Sequence, residues 1–382
     1  MVSVYFPYAL GLMTFVGIRG GRVLLALYAL QMEAPTAMIG LLAATFSVPP
    51  MLFAYKVGQL TDRFGSRWTL LVGIIGASVG VLVPFFHPGV PSLFVAAFLN
   101  GIAFTFFNVS MQNAVGQLST PETRVKNFAN LSLVISTAQF VAPVLIGFAI
   151  DHAGANRSCL FVTLAGAIPI LMLMLRGDGL PRGSGKAAAK GGGLREMLSD
   201  PAVRRILAIS SLMMTGYDLY FFYMPVHLHG IGYSASAIGV MLGIFSGAGL
   251  LVRTILPWLI KRFSVERVLV YSFYIGAAGF FMMPMFRDAW VLGAISFVFG
   301  LAMSVGQPIT MALSFTNATD GRSGAAMGLR QMVNHGTRVA GPLVFGFVGT
   351  VLGGFGVFWI NALMLAWGGF AVKSGRMGEP GS

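Results

Sequence analysis

The sequence predicts an all-α membrane protein, with twelve transmembrane helices arranged as two pseudo-symmetric six-helix bundles. Three observations predict this fold class: an apolar composition, twelve long apolar runs, and a recurrence of the first half in the second. The 382 residues are 56% hydrophobic and 10% charged, and the mean hydropathy is +0.80. Soluble domains carry about 25% charged residues, so this composition excludes a soluble enzyme, a disordered scaffold and a disulfide-rich secreted protein.

Each predicted transmembrane helix is a run of about 20 or more mainly apolar residues, the length that crosses a bilayer. The first run has no basic segment before it and no cleavage-like motif, so it is predicted to be a retained helix. The connection 176–200 is basic and rich in glycine, as flexible linkers are. It separates a first bundle, 1–175, from a second, 201–382. The predicted spans are 4–30, 36–55, 68–86, 92–116, 126–150, 158–175, 203–227, 234–259, 267–286, 290–315, 324–350 and 353–372.

Lysine and arginine are unequally divided between the two ends of these helices. If both termini and the linker 176–200 lie on one side, that side holds 18 of them, and the other side holds only Arg157 and Arg287. Cytoplasmic loops carry such an excess. We therefore expect a multi-pass protein of a bacterial-type inner or plasma membrane, with both termini cytoplasmic. The net charge of +13 is explained by this distribution, and no nucleic acid partner is predicted.

The second half repeats the first at an offset of 199 residues. Phe46-Ser47 recurs as Phe245-Ser246, and Pro143 recurs as Pro342. The offset holds without a gap over at least 38–148, which chance apolar similarity would not maintain. Two six-helix halves related in parallel imply a central site at their interface.

The loop after the second span has the sequence Gly-Gln-Leu-Thr-Asp-Arg-Phe-Gly-Ser-Arg-Trp, from Gly58 to Trp68. It resembles the cytoplasmic signature of the major facilitator superfamily, G-x-L-x-D-R-x-G-R, and lies between helices 2 and 3 as that signature does. Asp62 is expected to approach the N-terminus of a neighbouring helix or an arginine. The second half has Lys261 at the equivalent position, so an acidic latch is predicted in the first half alone. The predicted gating residues are Gly58, Leu60, Asp62, Arg63, Gly65 and Arg67.

The resemblance covers essentially the whole chain, and it implies a secondary transporter that works by alternating access, without a cofactor or enzymatic activity. It also implies a cavity lined chiefly by helices 1, 4, 7 and 10. Two departures weaken the interpretation as a drug–proton antiporter. Ala97 stands where the drug-efflux branch carries an arginine, and the antiporter signature of helix 5 is reduced to Ala142-Pro143 followed by Gly147.

Ionisable side chains at membrane depth are costly unless they face a cavity or a partner. Arg19 and Asp218 are 199 residues apart, so they occupy equivalent positions on helices 1 and 7 and are expected to face each other. Such a pair would link protonation to conformation, or would be a static structural pair. The intramembrane set comprises Arg19, Arg22, Asp218, Arg253, Arg330, His335 and Arg338.

Helix 11 places Arg330, Asn334 and Arg338 on one stripe, because they are spaced four residues apart. Guanidinium groups on such a stripe suit carboxylate or phosphate ligands. For Arg330 and Arg253, which lie near helix ends, snorkelling to the interface is an equal alternative. His335 is either a hydrogen-bonded helix residue or a site and proton-carrying group.

Five arginines and one aspartate inside the membrane indicate that a counter-charge is missing. The least costly partner is an anionic substrate, with chloride or a lipid phosphate as alternatives. The first hypothesis is therefore a proton-coupled, monomeric transporter of a small anionic solute. The alternative is an efflux antiporter for neutral or cationic amphiphiles, with Asp218 as the cation and proton site. Tyr217, Tyr220 and Tyr223 would then lie near it, or they are simply packed between helices.

A membrane receptor is a third functional class, which no appended soluble domain supports. His227 and His229 alone do not make a metal site. The predicted substrate-binding residues are Arg19, Arg22, Arg330, Asn334, His335 and Arg338, and the predicted proton-coupling residues are Asp218 and His335.

Overall fold

The structure is a computed structural model that describes residues 4–34, 36–183, 194–233, 235–318 and 322–374. Within these ranges every regular element is helical, with single 3-10 turns at Gly177–Gly179 and Met283–Met285. The α-helices are α1 (Tyr5–Gln31), α2 (Thr36–Phe64), α3 (Ser66–Phe86), α4 (Val90–Gln117), α5 (Arg124–Ala165), α6 (Ala167–Arg176), α7 (Leu194–Ser199), α8 (Pro201–Gly230), α9 (Ala235–Phe263), α10 (Val265–Met282), α11 (Ala289–Ser304), α12 (Gly306–Thr316) and α13 (Ser323–Ser374).

Every predicted span overlaps one or two of these helices, and five spans differ from a simple one-to-one match. α5 joins the fifth span to the sixth across Gly154, whose φ of 79° and ψ of 160° break the helix. α11 and α12 share the tenth span, and α13 runs through the eleventh and twelfth. Eight of the described helical stretches are long and apolar enough to cross a membrane. Of the predicted linker, 184–193 lies outside the described residues.

The helix boundaries confirm the internal repeat. α2 and α9 begin 199 residues apart, at Thr36 and Ala235, and also end 199 residues apart. The turn after each helix is made by a residue of positive φ, Gly65 at 85° and Ser264 at 69°. Glycine adopts this region without steric cost, whereas serine rarely does. The turn is therefore set by the duplicated architecture and not by glycine alone.

The chain divides into two compact units, each with its own core. The first consists of Met1–Met197 and Ser314–His335, and the second of Leu198–Leu313 and Gly336–Ser382. The division passes through α13, so the start of this helix packs with the first-half helices. The bundles predicted from the repeat, 1–175 and 201–382, remain a prediction about how the chain is organised.

Apolar side chains of α1, α3, α4 and α5 form a core of the first unit, including Leu24, Val81, Leu93 and Ile146. Stacked aromatic rings hold the second unit together. Tyr220 stacks on Phe245 at 4.4 Å between ring centroids and meets Phe299 at 5.3 Å. Because Tyr220 is fully buried, its ring joins α8 to α9 and α11, as the helix-packing alternative predicted.

Candidate functional site

The carboxylate of Asp62 binds the N-terminus of α13 within the first unit. Its Oδ1 accepts a hydrogen bond from the backbone N–H of Gly324 at 2.7 Å, and its Oδ2 accepts one from Ala325 at 2.9 Å. The first N–H groups of a helix have no partner inside the helix, and the helix dipole favours a negative charge there. The expectation that Asp62 approaches a helix N-terminus is confirmed. We call this contact the Asp62 latch.

Burial raises the pKa of Asp62 to about 6, although the two amide hydrogen bonds and Arg322 act in the opposite direction. Asp62 lies beyond the predicted second span, 36–55, at the loop end of α2. An Asp62 exposed to water would have an ordinary pKa near 3.8. A closed latch therefore binds a proton more tightly than an open one, and acidification from pH 7 towards pH 5 favours the closed latch.

Two glycines allow α2 and α13 to approach at backbone distance. A Cβ atom on Gly58 would overlap the carbonyl oxygen of Gly324 and lie 2.8 Å from the Cα of Ala325. A Cβ atom on Gly328 would overlap the carbonyl oxygen of Ala54 and lie 3.0 Å from the Cα of Tyr55. The glycine at the start of the loop signature therefore provides the close contact on which the latch depends.

Gly58→Val is expected to separate α2 from the start of α13, because the obstructing atoms are backbone and cannot rotate away. Overpacking of this kind costs about 1–3 kcal/mol. The thermal midpoint of the purified chain in detergent should fall by several degrees, and a cysteine introduced by Ala325→Cys should react faster with a thiol reagent. Gly147→Val is the control, since nothing lies within 4 Å of its Cβ position. An unchanged midpoint and an unreactive cysteine would contradict the role given to Gly58.

The other loop residues do not join the Asp62 latch. Leu60 is half-buried in α2. Arg63 is exposed, with its guanidinium 5.0 Å from the ring centroid of Phe64. Gly65 makes the positive-φ turn. Arg67 forms an ion pair with Asp178, in the 3-10 turn that follows α6. Residues of the loop signature therefore make contacts in two places. Asp62 forms the latch, and Arg67 contributes to a surface around Asp178.

A buried polar cluster joins α4 to the start of α13. The Nη2 of Arg330 donates to the amide oxygen of Gln112 at 2.6 Å, and Gln112 in turn donates to Asn108 at 3.1 Å. Ser323 donates to the amide oxygen of Asn113 at 2.6 Å. Arg330 is 1% exposed. The snorkelling alternative is therefore wrong for Arg330, and it is also wrong for Arg253, which is 6% exposed.

Further predicted substrate residues lie beside this cluster. The guanidinium carbon of Arg19 lies 5.5 Å from the ring centroid of Phe104, and the ring of His335 packs edge-on against Phe104 with 5.9 Å between the ring centroids. Asn334 is buried next to His335 on α13. Arg22 lies over the ring of Phe46 at 5.0 Å. The first unit thus gathers most of the predicted substrate residues around α1, α4 and α13.

Arg338 belongs to the second unit, where it is paired. Its Nε donates to the Oδ2 of Asp218 at 2.9 Å, and Nη2 lies 3.8 Å from the sulfur of Met214. Arg338, a predicted substrate-binding residue, therefore already has an acidic partner in its own unit. The pairing of Asp218 with Arg19, which lies in the first unit, stays a prediction. Asp218 is therefore a partner of helix 11 in this structure, as α8 and α13 place the two side chains together.

Sequence reasoning missed contacts made through the backbone or through ordinary side chains. Gly324 and Ala325 bind Asp62 with N–H groups, so their side chains carry no signal. Arg124 donates to Thr316 at 2.9 Å and lies over the ring of Phe315 at 4.8 Å. Arg124 is recognisable in the sequence as a basic residue at the start of a helix, but nothing in the sequence indicates its partners. Over the described ranges, no group of three or more histidine, cysteine or acidic side chains is placed to hold a metal.

Comparison with known proteins gives one family across nearly the whole chain. A family model, the Major Facilitator Superfamily, matches residues 8–342. Multidrug resistance protein 1 of Bacillus subtilis is 22% identical over 316 residues, which are 81% of this chain and 80% of that protein. Tetracycline resistance protein, class C, of Escherichia coli is 24% identical over 324 residues, which are 80% of this chain and 78% of that protein.

Solved structures share the fold at low sequence identity. The human organic anion transporter MFSD10 (TETRAN) superimposes with a TM-score of 0.81 at 16% identity, covering 97% of this chain and 100% of that one. A bacterial homologue of the iron transporter ferroportin, in its outward-facing state, gives a TM-score of 0.83 at 14% identity, covering 98% and 99%. These likenesses confirm the predicted fold class.

Proposed function

The chain belongs to the major facilitator superfamily, and we propose that it is a secondary active transporter of a small anionic solute, driven by protons through alternating access. As a multi-pass membrane transporter it carries a small molecule. The anionic substrate, the proton coupling, the monomeric state and the inner-membrane location with cytoplasmic termini are parts of the proposal.

The burial of the Arg330 guanidinium is the main observation in favour of an anionic substrate. Its hydrogen bond goes to the neutral amide of Gln112, and its Nε has no hydrogen-bond partner among the described residues. None of the ion pairs found in the described part of the chain includes Arg330. A buried charge is costly unless a counter-charge compensates it. An anionic ligand would supply that counter-charge and would use the vacant Nε.

Arg19 and His335 support the same interpretation, because both lie against Phe104 in the same unit. The Asn108, Gln112 and Asn113 amides add neutral hydrogen-bonding groups to the cluster. The carboxylate of Asp218 is bound to Arg338 in the other unit, so each of these two charges offsets the other.

The groups that we propose for proton coupling are His335 and the Asp218 carboxylate, which is paired with Arg338. Protonation of the Asp218 carboxylate would remove the negative charge that holds Arg338, and the guanidinium would then be released to rearrange. His335 is 5% exposed and lies against Phe104 beside Asn334. A change in its protonation would alter the charge of the cluster that we assign to the anion.

The test is ligand binding by the purified full chain in detergent, measured by calorimetry with sets of small anions and of organic cations. We expect an anion to bind, and Arg330→Gln to weaken its binding about ten-fold or more, since a charge-assisted hydrogen bond contributes about 1.5–3 kcal/mol. Arg330→Lys should weaken it less than Arg330→Gln, because it keeps the charge but loses the planar fork.

Arg205→Gln is the matched control, because Arg205 donates to the backbone carbonyls of Ala371 and Val372 and has no role in the proposal. Equal losses in the Arg205 and Arg330 variants would indicate general destabilisation. Binding of an anion that is unaffected by Arg330→Gln would contradict the proposed site.

Efflux of neutral or cationic amphiphiles is the second candidate. Its support is the relatives, which include proteins named for resistance to multiple drugs, tetracycline and quinolone. Within the chain, it would require Asp218 to exchange Arg338 for a cationic ligand. Binding of organic cations that is lost in Asp218→Asn, together with no anion binding, would favour this function over the first.

A further inference from the structure

A cavity of about 330 Å³ lies at the end of α2 and the start of α3, closed on its other side by the residues that follow α6. Three arginines line it, Arg63, Arg67 and Arg182, together with the single acidic residue Asp178. We call it the arginine pocket. It is separate from the Asp62 latch and from the polar cluster around Arg330.

The pocket is built by backbone contacts. The N–H of Ser66 donates to the carbonyl oxygen of Pro181 at 3.2 Å. A Cβ atom on Gly65 would lie 2.6 Å from the backbone nitrogen of Gly183. These contacts fix the segment 181–183 against the turn between α2 and α3, so the pocket is shaped by the fold as well as by long side chains.

The charge of the pocket is only partly balanced. Arg67 is paired with Asp178. Neither Arg63 nor Arg182 forms an ion pair among the described residues, and both are exposed. Two guanidinium groups beside an open cavity are suited to the oxygens of a phosphate group, which arginine binds in a bidentate way.

An apolar stripe on α3 begins at the pocket and continues along the helix. Trp68, Val72, Ile75 and Val79 recur at intervals of three or four residues, so they share one helix face. Their exposures are 61%, 50%, 41% and 52%, and α3 is one of the helices long and apolar enough to cross a membrane. Trp68 lies at the first turn of this span, where aromatic side chains mark the membrane interface.

We propose that the arginine pocket binds the headgroup phosphate of an anionic phospholipid, with an acyl chain along the stripe from Trp68 to Val79. A free phosphate would use the arginines but not the stripe. The continuity of the two features favours the lipid. The site is distinct from the proposed transport site and does not depend on the nature of the transported substrate.

The experiment uses the full chain in nanodiscs of phosphatidylcholine, with and without phosphatidylglycerol, and measures the bound lipids by native mass spectrometry. A basic residue near an anionic membrane surface contributes about 1 kcal/mol, which corresponds to about five-fold in binding. We expect phosphatidylglycerol to be retained preferentially. Arg182→Gln should reduce the preference about five-fold, and Arg63→Gln combined with Arg182→Gln should abolish it.

The matched control is Arg204→Gln combined with Lys261→Gln, which removes the same charge from exposed residues outside the pocket. An equal loss in this control would show a general surface effect and overturn the proposal. A comparison experiment titrates glycerol 3-phosphate and inorganic phosphate into the purified chain in detergent. If they bind at the pocket as tightly as the lipid does, the site is a soluble phosphate site and the lipid assignment is wrong.

A second measurement keeps all the arginines of the pocket and therefore does not depend on the folding of the arginine variants. Brominated acyl chains quench nearby tryptophan fluorescence, and the Trp68→Phe difference isolates the signal of Trp68. Brominated phosphatidylglycerol should quench this signal more strongly than brominated phosphatidylcholine at equal content. Equal quenching by the two lipids would overturn the proposal.

Discussion

Asp62→Asn is expected to reduce transport at least ten-fold while leaving expression and membrane insertion near those of the original chain. The asparagine keeps one oxygen for an amide of α13 but presents an N–H₂ group to the other. It therefore loses one of the hydrogen bonds to Gly324 and Ala325, and it places two N–H groups against each other, which a protonated carboxyl does not. An unsatisfied buried N–H costs about 1–3 kcal/mol, so the closed latch should become about ten-fold less populated.

The opening of the latch can be measured before any substrate is known. Ala325 is 3% exposed, so the cysteine of an Ala325→Cys variant, in a chain with Cys159 replaced by alanine, should react slowly with a thiol reagent. Asp62→Asn should accelerate the reaction about ten-fold. Asp151→Asn, the same change at an exposed position, should leave the rate unaltered. A slow reaction and full transport in the Asp62 variant would show that the latch does not control the cycle.

The pH dependence gives an independent check on the same residue. Because burial raises the pKa of Asp62 to about 6, the closed latch is favoured as the pH falls from 7 towards 5. The fraction of the Ala325→Cys thiol protected from reagent, compared after correction for thiolate content, should therefore rise over this interval. In Asp62→Asn the dependence should disappear, since the group that takes up the proton is gone.

The helices were predictable because long apolar runs leave few alternatives and because the repeat supplies each boundary twice. Even the backbone turn at Gly65 recurs at Ser264, where the residue itself gives no hint of positive φ. The break at Gly154 lies between the predicted fifth and sixth spans, 126–150 and 158–175, so its place was predicted although the glycine itself was not identified. The break between α11 and α12 falls inside the predicted tenth span, 290–315, and was not predicted.

The sequence predicted which residues belong to the candidate site better than it predicted which residues they contact. The loop signature indicated Asp62, and the general rule for helix ends indicated the type of partner. Which helix would supply the N–H groups depended on the packing of α2 against α13, which no side chain at Gly324 or Ala325 encodes. In the same way, the depth of Arg330 could not be judged from its place near a predicted helix end, and the structure buries it completely.

The Asp218–Arg338 pair could not be predicted from the repeat. The offset of 199 makes Arg19 and Asp218 equivalent along the chain, and their pairing stays a prediction. The contacts of a side chain within its own unit depend on the rotation of each helix about its own axis, and α8 and α13 bring Asp218 to Arg338. Asp218 therefore has a defined partner within its own unit, and Arg338 no longer needs a substrate as its counter-charge.

The Asp218–Arg338 pair should show strong energetic coupling. Each side chain is about one-third exposed, 29% for Asp218 and 33% for Arg338, so water screens part of the attraction. Asp218→Leu leaves the guanidinium without its carboxylate, and Arg338→Met leaves the carboxylate without its cation. Both single variants should lower the thermal midpoint in detergent. The double variant should be more stable than the sum of the two losses predicts, by about 1–2 kcal/mol, as for contacting residues in general.

The parallel cycle with Arg19→Met and Asp218→Leu distinguishes this pair from the symmetry-based one. Coupling with Arg338 and additivity with Arg19 would support the pairing in the structure, and the reverse would contradict it. The transport consequence follows from the charges. If the pair opens when Asp218 takes up a proton, substrate binding by the double variant should depend little on pH, whereas substrate binding by the original chain should depend on it strongly. Binding that keeps its full pH dependence in the double variant would exclude this pair as the proton-coupling element.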